Sequence, residues 1–260
     1  MIPKIIHYCW FGRKEKTKLE KKCIRSWKKY CPDYKIIEWN EDNYDIASAP
    51  LFVRQAYDKR KWAFVSDYVR YYAVYENGGI YLDTDVQIII NIDFLLADTA
   101  FFGIQHLDLH PASGLGFGAV KGHGFIKELM DAYQEVSFIL SEGIYNVIPC
   151  PDRDYASFCK YRFKLIDKKE ILNNGVHIYP TEFFCPWIIG SPYLKKTKNT
   201  VMIHWFAASW LSDEQKKNRR KKHKKQYFDY FIHIPNRFGM KVLGMKRYNR
   251  LKRLFGRRQG

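Results

Sequence analysis

The apolar positions along the chain follow two periods, one typical of helices and the other of strands. In residues 62–76 they recur every three or four residues, which predicts a helix. That helix is expected to end at Gly78, because glycine reaches a left-handed C-cap conformation without steric cost. Residues 80–90 are crowded with β-branched side chains and end in an apolar run. This second pattern predicts a buried strand directly after the helix.

The same two patterns recur over the rest of the first 205 residues. Further strands are predicted at residues 4–11, 34–39, 100–105, 115–120, 177–180 and 200–205, and further helices at 16–30, 50–60 and 122–136. A chain that opens strand, helix, strand is typical of a parallel sheet with crossover helices. We therefore expect one α/β domain with a mixed, mainly parallel sheet. Residues 137–191 are rich in Pro, Gly and aromatic side chains, and we expect irregular structure there.

The charge of the chain divides it into two parts. The net charge is +17, but residues 215–260 contain 17 Lys or Arg against the single acid Asp229. Residues 1–214 contain 27 basic and 26 acidic groups and are almost neutral. This division predicts a globular domain at residues 1–214 and a separate basic segment at residues 215–260.

The basic segment carries apolar residues every three or four positions between Phe238 and Phe255, with Lys and Arg on the other faces. This pattern predicts a basic amphipathic helix that binds an anionic membrane surface, with about 1 kcal/mol of attraction for each cation near the lipid. Nucleic-acid binding is the rival interpretation, and a partly disordered soluble tail is a third. We favour lipid over nucleic acid, because an apolar face can be buried in the membrane interface but has no favourable contact with phosphates.

Three other features concern the compartment of the protein. The chain has no run of 18 apolar residues, and its first residues lack the pattern of a signal peptide. Its six cysteines show no C-x-x-C spacing, which favours free thiols over a disulfide framework or a zinc site. We therefore expect a cytoplasmic protein.

Two carboxylates, Asp83 and Asp85, interrupt the predicted strand of residues 80–90. On a strand they would point to the same side, with Cα atoms about 7 Å apart. A D-x-D triplet is common by chance as a solvated turn, but here it lies within an apolar run directly after two glycines. Because unpaired buried charges are costly, the pair predicts a divalent cation, Mn²⁺ or Mg²⁺. Such a cation suits the departure of a nucleoside diphosphate.

Other candidate residues allow two interpretations each. Ser66, Asp67 and Arg70 share one face of the predicted helix, where they form an ordinary ion pair or bind the hydroxyls of a sugar. Trp10 lies at the end of the first predicted strand, just before Gly12, where it is a core side chain or stacks on a nucleobase. His204 ends a late strand, where it is structural or a third ligand for an ion such as Mn²⁺.

Three segments together resemble the glycosyltransferases of family 32. They are IPKIIHYCWFG at residues 2–12, WAFVSDYVRYYAVYENGGIYLDTDV at 62–86 and IHWFAASW at 203–210. The family contains bacterial capsule and polysaccharide transferases that are related to yeast α-mannosyltransferases and, more distantly, to clostridial glucosylating toxins. The resemblance covers about residues 2–210. It implies a GT-A (Rossmann-like) fold and a metal-dependent, retaining transfer of a sugar from a UDP- or GDP-sugar donor.

The resemblance also implies roles for the matched residues. Asp85 would bind Mn²⁺ directly, and His204 would complete the metal site. Asp83 would contact the ribose and sugar of the donor and reach the metal through water. The other implied donor contacts are Asp67 and Arg70 on the sugar hydroxyls, Trp10 and the Cys9 backbone on the base, and Ser209 and Trp210 near the diphosphate.

The chain departs from the family pattern at two positions. Many relatives carry two consecutive histidines where this chain has His204-Trp205, and many carry Asn where it has Ser113. The first departure concerns which histidine binds the metal, and the second concerns a contact to the donor sugar.

We therefore expect a bacterial glycosyltransferase of surface polysaccharide or capsule synthesis, bound peripherally at the inner face of the cell membrane. Its acceptor would be a membrane-associated glycan such as a lipid-linked oligosaccharide. Two other functions remain open: a nucleic-acid or lipid-binding module with a structural Asp pair, and a nucleotide-sugar hydrolase.

Overall fold

The computed structural model describes residues 1–188 and 194–207, together with positions 214, 217, 218, 221, 222, 224 and 225. The described residues form a seven-stranded sheet, two small two-stranded sheets and helices. The strands are β1 (Ile5–Cys9), β2 (Lys35–Trp39), β3 (Gly79–Tyr81), β4 (Val86–Ile88), β5 (Ala100–Gly103), β6 (Phe117–Ala119), β7 (Ile139–Ser141), β8 (Ile144–Tyr145), β9 (Glu170–Ile171), β10 (His177–Tyr179) and β11 (Met202–His204). The helices are α1 (Lys18–Tyr30), α2 (Leu51–Asp58), α3 (Trp62–Asn77), α4 (Gly124–Asp131), α5 (Cys150–Lys160) and α6 (Thr181–Phe184), with 3₁₀ turns at Asp93–Ala97 and Ser113–Leu115.

The large sheet has the strand order β2-β1-β3-β6-β5-β10-β9. β1 is parallel to β2 and β3, and β5 is parallel to β10, whereas β6 runs antiparallel to its neighbours β3 and β5. Five of the seven strands therefore point one way, and β6 and β9 point the other way. The expected α/β fold with a mixed, mainly parallel sheet is confirmed.

Neighbouring residues on these strands enter different cores on the two faces of the sheet. Tyr81 and Phe102 lie in a core with side chains of α2, α3, α4 and α5. Ile80 and Phe101 lie in a second core with side chains of α1, β4, α6 and β11. Both faces of the sheet are therefore covered, as is usual for strands joined by crossover helices.

Local sequence explains where the two helices nearest the candidate site begin or end. Before α1, the Thr17 side chain caps the helix and the Glu20 carboxylate accepts a hydrogen bond from the Thr17 amide, which is a capping box. After α3, Gly78 adopts a φ of +65°, and a Cβ there would lie 2.8 Å from the side chain of Pro3. Only glycine fits this position.

The single strand predicted for residues 80–90 is wrong. β3 ends at Tyr81 in the large sheet, and β4 begins at Val86 in a separate antiparallel pair with β11. Between them lies a turn in which the Val86 amide donates to the Asp83 carbonyl at 2.9 Å. Both strands are buried, so the sequence on either side of the turn is apolar. The strands nevertheless pair in different sheets.

The prediction of irregular structure at residues 137–191 was also only partly right. The segment contains the hairpin of β7 and β8, helix α5, strand β9, and the elements β10 and α6. Proline residues obscured α5 in the sequence pattern. In the structure, prolines lie at its first turn, where a missing N–H costs nothing.

The backbone divides into two units, one of Met1–Ile188 with Lys195–Trp210 and the other of Ile189–Leu194 with Leu211–Gly260. The described positions from 214 to 225 are helical and exposed. The amphipathic helix predicted between Phe238 and Phe255 lies outside the described residues, and the boundary between residues 214 and 215 stays a prediction. Within the described part of the chain, no helix is both long and apolar enough to cross a bilayer.

Candidate active site

Helix α1 holds the strand that follows the turn of Asp83, Thr84 and Asp85. The Trp27 indole donates to the Val86 carbonyl at 2.8 Å, and the Ile88 amide donates to the Ser26 hydroxyl at 3.0 Å. Both contacts are buried. They fix β4, and therefore the second half of the turn, against the second core.

Strand β11 brings His204 to this turn from far along the sequence. The antiparallel register places His204 opposite Val86, and its Nε2 lies 3.1 Å from Oδ1 of Asp85. The backbone beyond the strand also binds Asp85, because the Ala207 amide donates to Oδ2 at 2.6 Å. Potential ligand atoms of Asp83, Asp85 and His204 all lie within 4.8 Å of one another.

Asp85 and His204 form an ion pair in which each side chain is 12% exposed. Burial by itself would raise the pKa of Asp85, but the charge of His204 and the hydrogen bonds from His204 and Ala207 lower it below its ordinary value. Burial alone would lower the pKa of His204, and the Asp85 carboxylate raises it above its ordinary value instead. A cation between the two residues would replace the imidazolium as the partner of the carboxylate.

The three side chains fit a divalent cation. Two carboxylates and an imidazole are a ligand set that suits ions such as Mn²⁺. The Nδ1 atom of His204 is buried, with no hydrogen-bond partner among the described residues. Within the described part of the chain, Nε2 of His204 thus faces Asp85, and Nδ1 is left without a protein partner.

Arg70 of α3 lies beside the same turn and joins several candidate residues. Its guanidinium is 3.1 Å from Asp67, 3.3 Å from Asp83 and 2.9 Å from the Ser113 hydroxyl, to which it donates. Burial raises the pKa of Asp67 to about 6, although Arg70 opposes the shift. The Asp67–Arg70 ion pair exists as the helical spacing predicts, but it reaches beyond its own helix to Asp83. Ser66 does not join it, because its hydroxyl donates to the Trp62 carbonyl.

Trp10 and Cys9 lie at the end of β1. Nε1 of Trp10 donates to the Lys14 carbonyl at 2.6 Å, and the Lys16 ammonium lies 5.0 Å from the Trp10 ring centre. Trp10 lines a cleft of about 440 Å³ with basic and acidic side chains around it. The Cys9 thiol is buried, and burial raises its pKa to about 12, so it is not a nucleophile at neutral pH.

The structure adds residues to this site that the sequence analysis did not assign. The Tyr81 hydroxyl donates to Asp83 at 3.0 Å, and its ring lies 5.1 Å from the Arg70 guanidinium. Tyr81 stands two residues before Asp83, and residues at this spacing on a strand point to the same side. That spacing is the sequence signal that could have identified Tyr81. Gly114 lies so close that a Cβ there would be 2.5 Å from Oδ2 of Asp83.

The described residues thus bring Asp67, Arg70, Asp83, Asp85 and His204 together. Ser209 and Trp210, expected near the diphosphate, lie outside the described residues. The roles assigned to all of these side chains remain predictions.

A second group of potential metal ligands consists of Asp108, His110 and Asp152. Its members already have partners: Asp108 accepts from the Gln105 side chain at 2.9 Å, and Nδ1 of His110 lies 3.1 Å from Asp152. The Asp152 side chain is half exposed. The group thus lacks the burial that distinguishes the site around Asp85.

Residues 17–102 match a family described as the glycosyltransferase sugar-binding region containing a DXD motif. The matched range includes Asp67, Arg70, Asp83 and Asp85. The match confirms that part of the resemblance which concerns a glycosyltransferase region with a DXD motif. Family 32 and the bacterial capsule setting stay predictions.

Known proteins with related sequences or structures are also glycosyltransferases by name. The chain is 32% identical over 136 residues to inositol phosphoceramide mannosyltransferase 3 of Schizosaccharomyces pombe, which covers 50% of this chain. It spans only 36% of the length of that relative. Among solved structures, the PaToxG glycosyltransferase matches at 17% identity with a TM-score of 0.47, over 61% of this chain and 69% of that one. A glycosyltransferase involved in the glycosylation of the major capsid of PBCV-1 matches at 13% identity with a TM-score of 0.45, over 86% and 99% of the two chains.

Proposed function

We propose that this protein is a metal-dependent glycosyltransferase that moves a sugar from a UDP- or GDP-sugar to a glycan acceptor. The observation that carries the proposal is the convergence of Asp83, Asp85 and His204 within 4.8 Å beside Arg70. Asp83 and Asp85 belong to the range that matches the DXD glycosyltransferase region. His204, which lies outside that range, completes the same cluster.

In this proposal Asp85 and His204 hold the cation, and Asp83 reaches it through water. The bound cation would neutralise the charge that develops on the departing diphosphate. Asp67 and Arg70 bind hydroxyls of the donor sugar, and Trp10 stacks on the base. We assign no general base, because in a retaining transfer the departing diphosphate can accept the proton of the acceptor hydroxyl.

The proposal extends to the acceptor and the location. The name of the yeast relative contains both a sugar, mannose, and a lipid acceptor. We propose a membrane-associated glycan as acceptor, in bacterial surface polysaccharide synthesis at the inner face of the cell membrane. The charge of residues 215–260 supports this location, because 17 cations would keep the enzyme near anionic lipid.

Thermal stability with nucleotides tests the core of the proposal. We expect UDP or GDP to raise the melting temperature when Mn²⁺ is present and to have a much smaller effect without it, because a ligand that binds only the folded state stabilises that state. No shift with either nucleotide would contradict the proposal and favour a lipid- or nucleic-acid-binding module.

Product analysis then separates transfer from hydrolysis. We expect Mn²⁺-dependent use of one donor from a panel of UDP-glucose, UDP-galactose and GDP-mannose, with slow release of free sugar when no acceptor is present. Release of free sugar at the same rate with and without glycan acceptors would identify a hydrolase.

A further inference from the structure

We propose that Cys150 and Asp154, at the start of α5, are positioning residues that hold the Arg70 guanidinium beside Asp83. This inference rests on the proposed function, since Arg70 is the group that would bind the donor sugar. Neither residue belongs to the segments that resemble known transferases, and both act through Arg70.

A continuous chain of hydrogen bonds joins Arg70 to Asp154. Nη1 of Arg70 donates to the Ser113 hydroxyl at 2.9 Å, and that hydroxyl lies 3.1 Å from the Cys150 sulfur. The Cys150 thiol then donates to Oδ2 of Asp154 at 3.1 Å. Three contacts therefore connect α3, the 3₁₀ turn Ser113–Leu115 and the first turn of α5.

The chemistry of these groups gives the chain one direction. The guanidinium only donates, and an ionised carboxylate only accepts, so the hydroxyl and the thiol between them must pass their protons towards Asp154. The Ser113 oxygen is free to accept from Arg70 because its own proton points to Cys150. Burial raises the pKa of Asp154 to about 6, which leaves it mostly ionised, and so an acceptor, at neutral pH.

Water does not replace these partners, because all four residues of the hydrogen-bond chain are buried. Arg70, Ser113, Cys150 and Asp154 are each 5% exposed or less. A buried polar group that loses its partner is costly, and hydrogen bonds to charged groups are stronger than neutral ones. The orientation of Arg70 therefore depends on the residues behind it.

The turn at Ser113 also touches Asp83 directly. The next residue, Gly114, leaves no room for a Cβ because Oδ2 of Asp83 lies against it. The same turn therefore contacts Arg70 through Ser113 and Asp83 through Gly114. Cys150 contacts this turn at the Ser113 hydroxyl, on the Arg70 branch of the contacts.

Binding measurements on Cys150 variants test the inference. Cys150→Ala interrupts the hydrogen bonds between Ser113 and Asp154. We expect the Kd for the nucleotide-sugar to rise about tenfold or more, which is the usual effect of losing a hydrogen bond in a charged network. The Kd for the free nucleoside diphosphate with Mn²⁺ should stay within about twofold, since Arg70 binds the sugar and not the diphosphate. Cys150→Ser retains a donor and acceptor and should restore most of the affinity for the nucleotide-sugar. The probes are UDP with UDP-glucose and UDP-galactose, and GDP with GDP-mannose, in calorimetric titrations of the full chain.

Two control variants separate positioning from a general loss of stability. Tyr71→Phe removes the hydroxyl that donates to Oδ2 of Asp154 and lies 3.2 Å from the Cys150 sulfur, but it leaves in place the three contacts that run from Arg70 through Ser113 and Cys150 to Asp154. It should lower the melting temperature without changing the Kd for the nucleotide-sugar. Cys159→Ala changes the exposed cysteine of the same helix and should behave as the wild type.

The outcomes distinguish this inference from the proposed function. A wild-type protein that binds no nucleotide in the presence of Mn²⁺ would contradict both. A wild-type protein that binds donor, together with a folded Cys150→Ala variant of equal affinity for the nucleotide-sugar, would overturn the positioning role alone. Equal impairment of Cys150→Ser and Cys150→Ala would also overturn it, because the hydrogen bonds would then be irrelevant.

Discussion

At the scale of single residues, His7 shows how a buried polar group is fixed by its partners. The Trp39 indole, which can only donate, binds Nδ1 of His7 at 3.0 Å, so Nε2 carries the proton and donates to the Gly78 carbonyl at 2.8 Å. The ring therefore ties β1 to β2 and to the end of α3. Burial lowers the pKa of His7 to about 4.

This pKa predicts a loss of stability in mild acid. As the pH falls below about 6.5, the unfolded chain binds a proton at this histidine, whereas the folded protein does not until about pH 4. The free energy of unfolding should therefore fall by about 3 kcal/mol over this window. Urea unfolding between pH 4 and pH 7 measures it. His7→Gln keeps a donor and an acceptor but does not titrate, so its curve should be flatter, and an identical slope would contradict the assignment.

The Asp pair gives a second prediction at this scale. Asp83→Ala and Asp85→Ala should each lower transfer by at least about a hundredfold, because each removes a carboxylate that would hold the cation, and the cation would neutralise the charge that develops on the departing diphosphate. Unfolding should stay cooperative, since His204 can become neutral when Asp85 is absent. Steady-state transfer and circular dichroism melts measure the two effects. Asp58→Ala, at the exposed end of α2, is the control, and full activity in either site variant would remove the basis of the proposed function.

At the scale of elements, the 3₁₀ turn Ser113–Leu115 is the part of the fold that shapes the site most directly. Gly114 has no Cβ where Asp83 needs room, and the atom in the way is the end of a flexible side chain rather than backbone. A substitution there should move Asp83 more than it disturbs the fold.

We therefore expect Gly114→Ala to weaken Mn²⁺-dependent nucleotide binding several-fold while changing the free energy of unfolding by only about 1 kcal/mol. Titration calorimetry and urea unfolding measure the two quantities. In Gly124→Ala the new Cβ meets nothing within 4 Å, so this control should leave binding unchanged. A loss of stability without a loss of binding in Gly114→Ala would show that the turn serves the fold and not the site.

Elements whose pattern is set by local residues could be predicted, and those set by distant partners could not. Helix α3 was predicted nearly to its ends, because an uninterrupted period precedes glycines that must end it. The division of residues 80–90 between two sheets depends on β6 and β11, which the local sequence does not reveal. The site shows the same limit. Asp67, Arg70, Asp83 and Asp85 stand in one motif, but no local pattern connects Cys150 or Asp154 to Arg70.

At the scale of the whole molecule, the uneven charge predicts where the protein resides. Residues 215–260 carry +16 of the net charge of +17, so we expect this segment to account for membrane binding. The full chain should float with vesicles that contain anionic phosphatidylglycerol, and a chain that ends at Asp213 should not. High salt should weaken the flotation, because screening acts on the attraction between cations and lipid. Equal flotation of the two chains would rule out the segment as the anchor.

The pairing of β4 with β11 also has a consequence for how the protein is made. Ile88 pairs with Met202, and the ribosome releases Asp83 and Asp85 more than one hundred residues before His204. A growing chain therefore exposes two carboxylates without their histidine, and closing so long a loop is one of the slower steps of folding. A cation that meets the chain at that stage can bind only the carboxylates of Asp83 and Asp85, which are a weak site without the histidine. If the proposed metal dependence holds, the ion that the protein finally retains would be selected by the finished fold, in which His204 stands beside Asp85, and not by the first metal that the nascent chain encounters.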